Sequence, residues 1–201
     1  MKIKCRIIGF DLDGTLLNSE KHIAEHTREV LTRAVEQGIW ILPVTGRPLG
    51  GLPKEVVEFP GVQYAITANG ARIMETQTGG CLYERLVPVK TAEQIMEIFS
   101  DYDALREVYY GGKGYAEAEE FSRVGEYMRS PQMAAYVRVT RTPVPDILQL
   151  IREKGQDTDK VQGVFKIDEE RTEARKRLEA VEGIEVTGAL SNNIEVNAAG
   201  V

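Results

Sequence analysis

The sequence predicts an α/β protein: a parallel sheet built from βαβ units, with an α+β section inserted into it. Three observations carry this. Short apolar runs at 7–10, 39–44 and 64–67 alternate with stretches of helical periodicity over the first eighty residues. Strands separated in this way by helices read as βαβ units with right-handed crossovers. Near residue 71 the texture changes to hairpins and mixed elements, and a last apolar strand at 194–196 is expected to return to the first domain.

Each element has its own local reason. Residues 24–37 carry Val30, Leu31, Ala34 and Val35 at helical spacing, and Gly38 follows as a stop. A short helix is expected at 53–58. The flanks 72–74 and 81–86 of Thr76-Gln77-Thr78-Gly79-Gly80 read as a hairpin. Thr91 with Gln94 forms a capping-box pattern for a helix through residue 104. Strands are expected at 108–110, 114–117, 135–139 and 161–167, with a helix at 144–154. Asp168 is positioned to cap a charged helix through 181. The expected domains are therefore 1–82 with 188–201, and 83–187 as the insert.

Composition narrows the function. A chain of 201 residues with 42% hydrophobic content can bury a core, and a net charge of −6 argues against nucleic acid or an anionic membrane as the partner. No apolar stretch approaches the length of a membrane span. Cys5 and Cys81 form neither a disulfide framework nor a metal spacing, so both are expected as reduced core or near-core thiols in a cytoplasmic protein. His22 and His26 share a helical spacing without a third ligand and read as solvated.

The first apolar run ends in Asp11-Leu12-Asp13-Gly14-Thr15-Leu16-Leu17. Alternate side chains of an extended segment share a face, so the two carboxylates start out aimed the same way and raise each other's cost of ionising. An Asx-type turn would explain one Asp and the Gly. It does not explain two carboxylates at the carboxyl end of an apolar strand, where open α/β sheets place their ligands. The other two runs end in Thr45-Gly46-Arg47-Pro48 and Asn69-Gly70, and a parallel sheet brings all three loops to one edge. The pair suits phosphoryl transfer: one carboxylate attacks phosphorus, and the other protonates the leaving oxygen and then activates water. Oxygen ligands of this kind favour Mg²⁺. Thr45 and the Gly46 amide can hydrogen-bond a phosphate, and Arg47 offers a fork matched to its oxygens.

Asp11-Leu12-Asp13-Gly14-Thr15-Leu16 resembles motif I of the haloacid dehalogenase (HAD) superfamily, and Val44-Thr45-Gly46-Arg47 resembles motif II. Asn69-Gly70-Ala71, the inserted section and Ile194-Glu195-Val196 are similar to the Cof-type branch with a C2B cap. The resemblance implies an incomplete Rossmann-like core with an inserted cap, and Mg²⁺-dependent hydrolysis of a small phosphorylated metabolite. It makes Asp11 the nucleophile and Asp13 the general acid/base. Thr45 would bind the phosphoryl group, with Gly46, Arg47, Asn69 and Gly70 nearby. Asp11 and the Asp13 main-chain carbonyl would ligate Mg²⁺. The motif III lysine and the acidic motif IV of the family have no counterpart before Val201. The expectation is therefore weak or absent phosphatase activity, or a non-catalytic ligand-binding or self-associating remnant. The strand at 6–10 is then an exposed apolar edge, and a homo-dimer or higher oligomer is expected to cover it.

Overall fold

The first strand, β1 (Ile7–Phe10), lies parallel to β2 (Trp40–Pro43), with Ile8 opposite Ile41 and Phe10 opposite Pro43. The structure is a computed structural model in which residues 4–201 are described. It divides into two units, one through Glu84 and one from Arg85 to Val201.

In the first unit the crossover between β1 and β2 is α1 (Glu25–Glu36), which buries Leu31 and ends before Gly38 at φ 75°. The short helix α2 (Lys54–Val57) leads to β3 (Tyr64–Thr67). A parallel bridge between Val44 and Ile66 joins β3 to the end of β2. From there β4 (Arg72–Glu75) and β5 (Cys81–Glu84) continue antiparallel. Leu12, Leu16, Leu17, Ile23, Ile41, Val56 and Phe59 form the core. Burying each such side chain contributes roughly 1.5–3 kcal/mol. Leu12, Leu16 and Leu17 lie within the aspartate loop, so core packing fixes the loop that carries Asp11 and Asp13. Among the described residues β1 pairs only with β2, and Ile7 (61% exposed), Ile8 and Trp40 remain open to solvent.

The second unit is a six-stranded sheet. Its strands are β6 (Ala104–Tyr110), β7 (Lys113–Glu117), β8 (Arg141–Val144), β9 (Lys160–Phe165), β10 (Ile184–Thr187) and β11 (Asn193–Ala198). They run in the order β10-β11-β9-β6-β7-β8, antiparallel except for β7 with β8. Alternation along β6 sends Ala104 and Val108 into a core with α3 (Val89–Ser100), α7 (Ile147–Lys154) and α8 (Asp168–Leu178). Leu105, with Ala116 and Val164, packs instead against α5 (Val124–Tyr127) and α6 (Pro131–Thr140), which follow α4 (Ala118–Ser122). No helix among the described residues is long and apolar enough to cross a membrane.

Several expectations are corrected here. The strand expected to return to the first domain is β11, and it lies between β10 and β9 in the second sheet. Its alternation places Ile194, Val196 and Ala198 in the core that α3 and α8 cover, which holds it to that unit. Residues 135–139, expected as a strand, belong to α6. There Ser130 Oγ accepts the Met133 N–H and Pro131 opens the helix, a start signal that outweighs the β-branched Val137 and Val139. The helix read from a Thr91 capping box begins earlier, after Pro88, without a side-chain cap. Ile167 occupies the cap position expected of Asp168. Cys5 and Cys81, expected in or near the core, are exposed.

Candidate active site

The site is assembled at the carboxyl ends of β1, β2 and β3. Asp11 and Asp13 follow β1, with the fully buried Leu12 between them. The Leu16 and Leu17 N–H groups donate back to the carbonyls of Asp11 and Leu12 at 3.1 and 2.9 Å. Gly14 takes φ 81°, a left-handed conformation that a side chain would strain. This tight turn leaves both carboxylates exposed above a buried base.

Backbone bonds tie the other two loops together. The Thr45 N–H donates to the Ile66 carbonyl at 2.9 Å. The Asn69 N–H donates to the Thr45 carbonyl at 3.1 Å, and the Ala68 N–H to the Arg47 carbonyl at 3.0 Å. To make these bonds, Ala68, Asn69 and Gly70 adopt φ values of 51°, 62° and 103°. Two consecutive non-glycine residues in that region store strain, which folds retain where geometry is demanded. Thr45 is buried, and its hydroxyl accepts the Arg47 N–H at 3.2 Å, which leaves its own proton for another acceptor.

The side chains complete the cluster. Arg47 grips Asp13 through both oxygens, with Nε 2.7 Å from Oδ2 and Nη2 2.8 Å from Oδ1, while Nη1 donates to the Gly51 carbonyl at 2.9 Å. Lys21 Nζ lies 2.8 Å from Asp13 Oδ1. Burial pushes the Asp13 carboxyl up, but its bonds to Arg47 and Lys21 outweigh that and hold it below the usual carboxylate range. Among the described residues the Asp11 carboxylate accepts one long contact, from the Thr15 hydroxyl at 3.4 Å. The structure thus brings Asp13, Thr45, Arg47 and Asn69 into one bonded group beside Asp11, with Gly46 and Gly70 in the joined loops. Sequence reasoning missed Lys21 and the Gly51 carbonyl. Both act through loop conformation, which residue spacing does not reveal.

Among the described residues no three His, Cys, Asp or Glu side chains converge as a metal cage. The Asp13 carboxylate is committed to cations, which leaves the Asp11 carboxylate and main-chain oxygens. Mg²⁺ commonly keeps several waters and takes one or two carboxylates together with substrate phosphate, so this partial set fits it.

Proteins of known sequence and structure resemble this chain. YxeH of Bacillus subtilis (strain 168) is 32% identical over 107 residues, covering 52% of this chain and 35% of that protein. The HMP-PP phosphatase of Klebsiella pneumoniae (strain 342) is 31% identical over 107 residues, 53% of this chain and 39% of the relative. The chain therefore matches less than half the length of these curated relatives. A solved haloacid dehalogenase-like hydrolase from B. subtilis shares the fold, with a TM-score of 0.79 at 23% identity over 96% of this chain and 73% of that one. The family model for haloacid dehalogenase-like hydrolases matches residues 8–201, and the chain belongs to that family.

Proposed function

We propose that this chain carries the phosphoryl-transfer site of a Mg²⁺-dependent phosphomonoester hydrolase acting on a small phosphorylated metabolite in the cytoplasm. The carrying observation is the pair Asp11 and Asp13 at the end of β1, joined through the Arg47 fork to the Thr45 loop. The phosphatase named among its relatives supports the same reaction class. Two exposed free thiols, Cys5 and Cys81, suit a reducing compartment. The unit from Arg85 to Val201 is read as the cap that selects the substrate.

In this reading an Asp11 carboxylate oxygen attacks phosphorus, and the ester oxygen leaves with a proton from Asp13. Water then attacks the aspartyl phosphate, Asp13 takes its proton, and phosphate and the Asp11 carboxylate are released. Thr45 donates its hydroxyl proton to a phosphoryl oxygen, and the Gly46 amide adds a second donor. Asp11 and the Asp13 main-chain carbonyl would hold Mg²⁺, which when bound offsets the negative charge of the phosphoryl oxygens. The cations on Asp13 favour its ionised form, so they assist the water-activating half and oppose the protonating half. Esters with acidic leaving groups should therefore turn over faster than alkyl phosphates.

The test is hydrolysis of p-nitrophenyl phosphate by the full chain with Mg²⁺ and with EDTA. The expected outcome is slow, metal-dependent turnover that Asp11→Asn abolishes, with a phosphorylated protein trapped by acid quench in the unmodified chain only. Turnover indifferent to Asp11→Asn would refute the assignment. Absence of both turnover and labelling would favour a non-catalytic ligand binder.

A further inference from the structure

Among the described residues, three non-glycine positions have positive φ: Lys21 at 66°, Ala68 at 51° and Asn69 at 62°. Ala68 and Asn69 hold the loop bonded to Thr45 and Arg47. Lys21 is therefore the third strained residue of the same site, although no motif includes it.

The loop that imposes the conformation is closed by Asn18. The Asn18 N–H donates to the His22 carbonyl at 2.9 Å, and its own carbonyl accepts the Lys21 N–H at 3.0 Å. Asn18 Oδ1 accepts from the Glu20 and His22 N–H groups at 3.0 and 2.9 Å. From this bracket Lys21 reaches Asp13 Oδ1, the same oxygen that takes Arg47 Nη2. The lysine side chain is 58% exposed. An exposed ion pair returns little stability, and the Asn18 bonds hold the turn without it. Stability therefore does not account for the contact.

We propose that Lys21 is a positioning residue: with the Arg47 fork it holds the Asp13 carboxylate in the one orientation from which it exchanges a proton with the reacting ester and water. The proposal rests on the phosphatase reading above. Removing the ammonium leaves the Arg47 fork and the Asn18 bonds in place, so Lys21→Met is expected to fold.

The experiment compares the full chain with Lys21→Met and Lys21→Arg on p-nitrophenyl phosphate with Mg²⁺. A small displacement of a reacting group costs up to ~10²-fold, so Lys21→Met should lower kcat about tenfold while KM stays within about twofold. Lys21→Arg should recover most of the loss. A raised KM with unchanged kcat would make Lys21 a substrate ligand and overturn the proposal, as would no change in either constant. A second readout needs no turnover: the Arg47 Nε–H signal in ¹⁵N-labelled protein. That signal should be sharp in the unmodified chain and Lys21→Arg and broadened in Lys21→Met. If no chain turns over, the phosphatase reading fails by itself. Broadening confined to Lys21→Met would still support the positioning, and a signal unchanged in Lys21→Met would overturn it.

Discussion

Replacing Arg47 by Lys tests whether the fork, rather than its charge alone, holds the site together. The guanidinium makes two bonds to Asp13, at 2.7 and 2.8 Å, and one to the Gly51 carbonyl at 2.9 Å. An ammonium on a flexible stem reproduces about one of these and cannot be bidentate. Hydrogen bonds to charged groups contribute about 1.5–3 kcal/mol each. The Asp13 side chain is 41% exposed, so water replaces part of what is lost. Discounted for that screening, Arg47→Lys should destabilise the first unit by about 1–2 kcal/mol. Trp40 is the single tryptophan of the chain and sits in β2, stacked on Tyr64 at 6.0 Å between centroids, so its fluorescence reports this unit alone. With a urea slope of roughly 1–3 kcal/mol per molar, the midpoint should fall by about 0.3–2 M at unchanged slope. A midpoint within error of the unmodified chain would refute the claim that the fork ties the two loops.

Two further outcomes are expected. Hydrogen bonds from Lys166 and then Tyr127 hold the Asp103 carboxyl below its usual range despite some burial, so its folded affinity for protons is lower than its unfolded one. Its contribution, under about 1 kcal/mol for so exposed a pair, is present above the ordinary carboxylate range and is lost as pH falls through the folded value. The stability difference between the unmodified chain and Asp103→Asn in urea should therefore shrink from pH 6 to pH 3, and a constant difference would contradict it. The open edge of β1, with Ile7 outermost, is expected to mediate self-association that Ile7→Lys weakens in light scattering, whereas an unmodified chain that is already monomeric would remove the reason for it.

What the sequence makes legible follows from how local its causes are. Asp11 and Asp13 announce themselves because two carboxylates at the end of an apolar strand have few structural uses. Thr45 and Asn69 are found only by adding topology, since parallel strands must end on one edge. The backbone bonds between the Thr45 and Asn69 loops bear that reasoning out. Residues 135–139 carry the β-branched Val137 and Val139, but the Ser130 cap and Pro131 at the helix start decide in favour of helix. The strand at 194–196 is legible as a strand, but its sheet is not. Its apolar residues look the same to any core, and only the antiparallel register with β9 and β10 decides. Lys21 lay beyond reach for a different reason. Its role depends on a left-handed backbone that Asn18 enforces, and neither residue type signals it by itself.

The two aspartates are alike in sequence and unlike in the fold, and that difference is the strongest structural support for assigning them separate roles. Asp13 receives three charge-assisted bonds from Arg47 and Lys21, which fix its plane and favour its ionised form. Asp11 receives one long contact from Thr15 and lies exposed. A nucleophile needs an oxygen free of strong donors, because each bond it accepts must weaken as it attacks. An acid/base group needs the opposite, a fixed position through two proton transfers. A symmetric pair would have shared its partners and could not be sorted in this way. Leu12, fully buried between the two, anchors the turn, and the Arg47 fork bonds the second carboxylate.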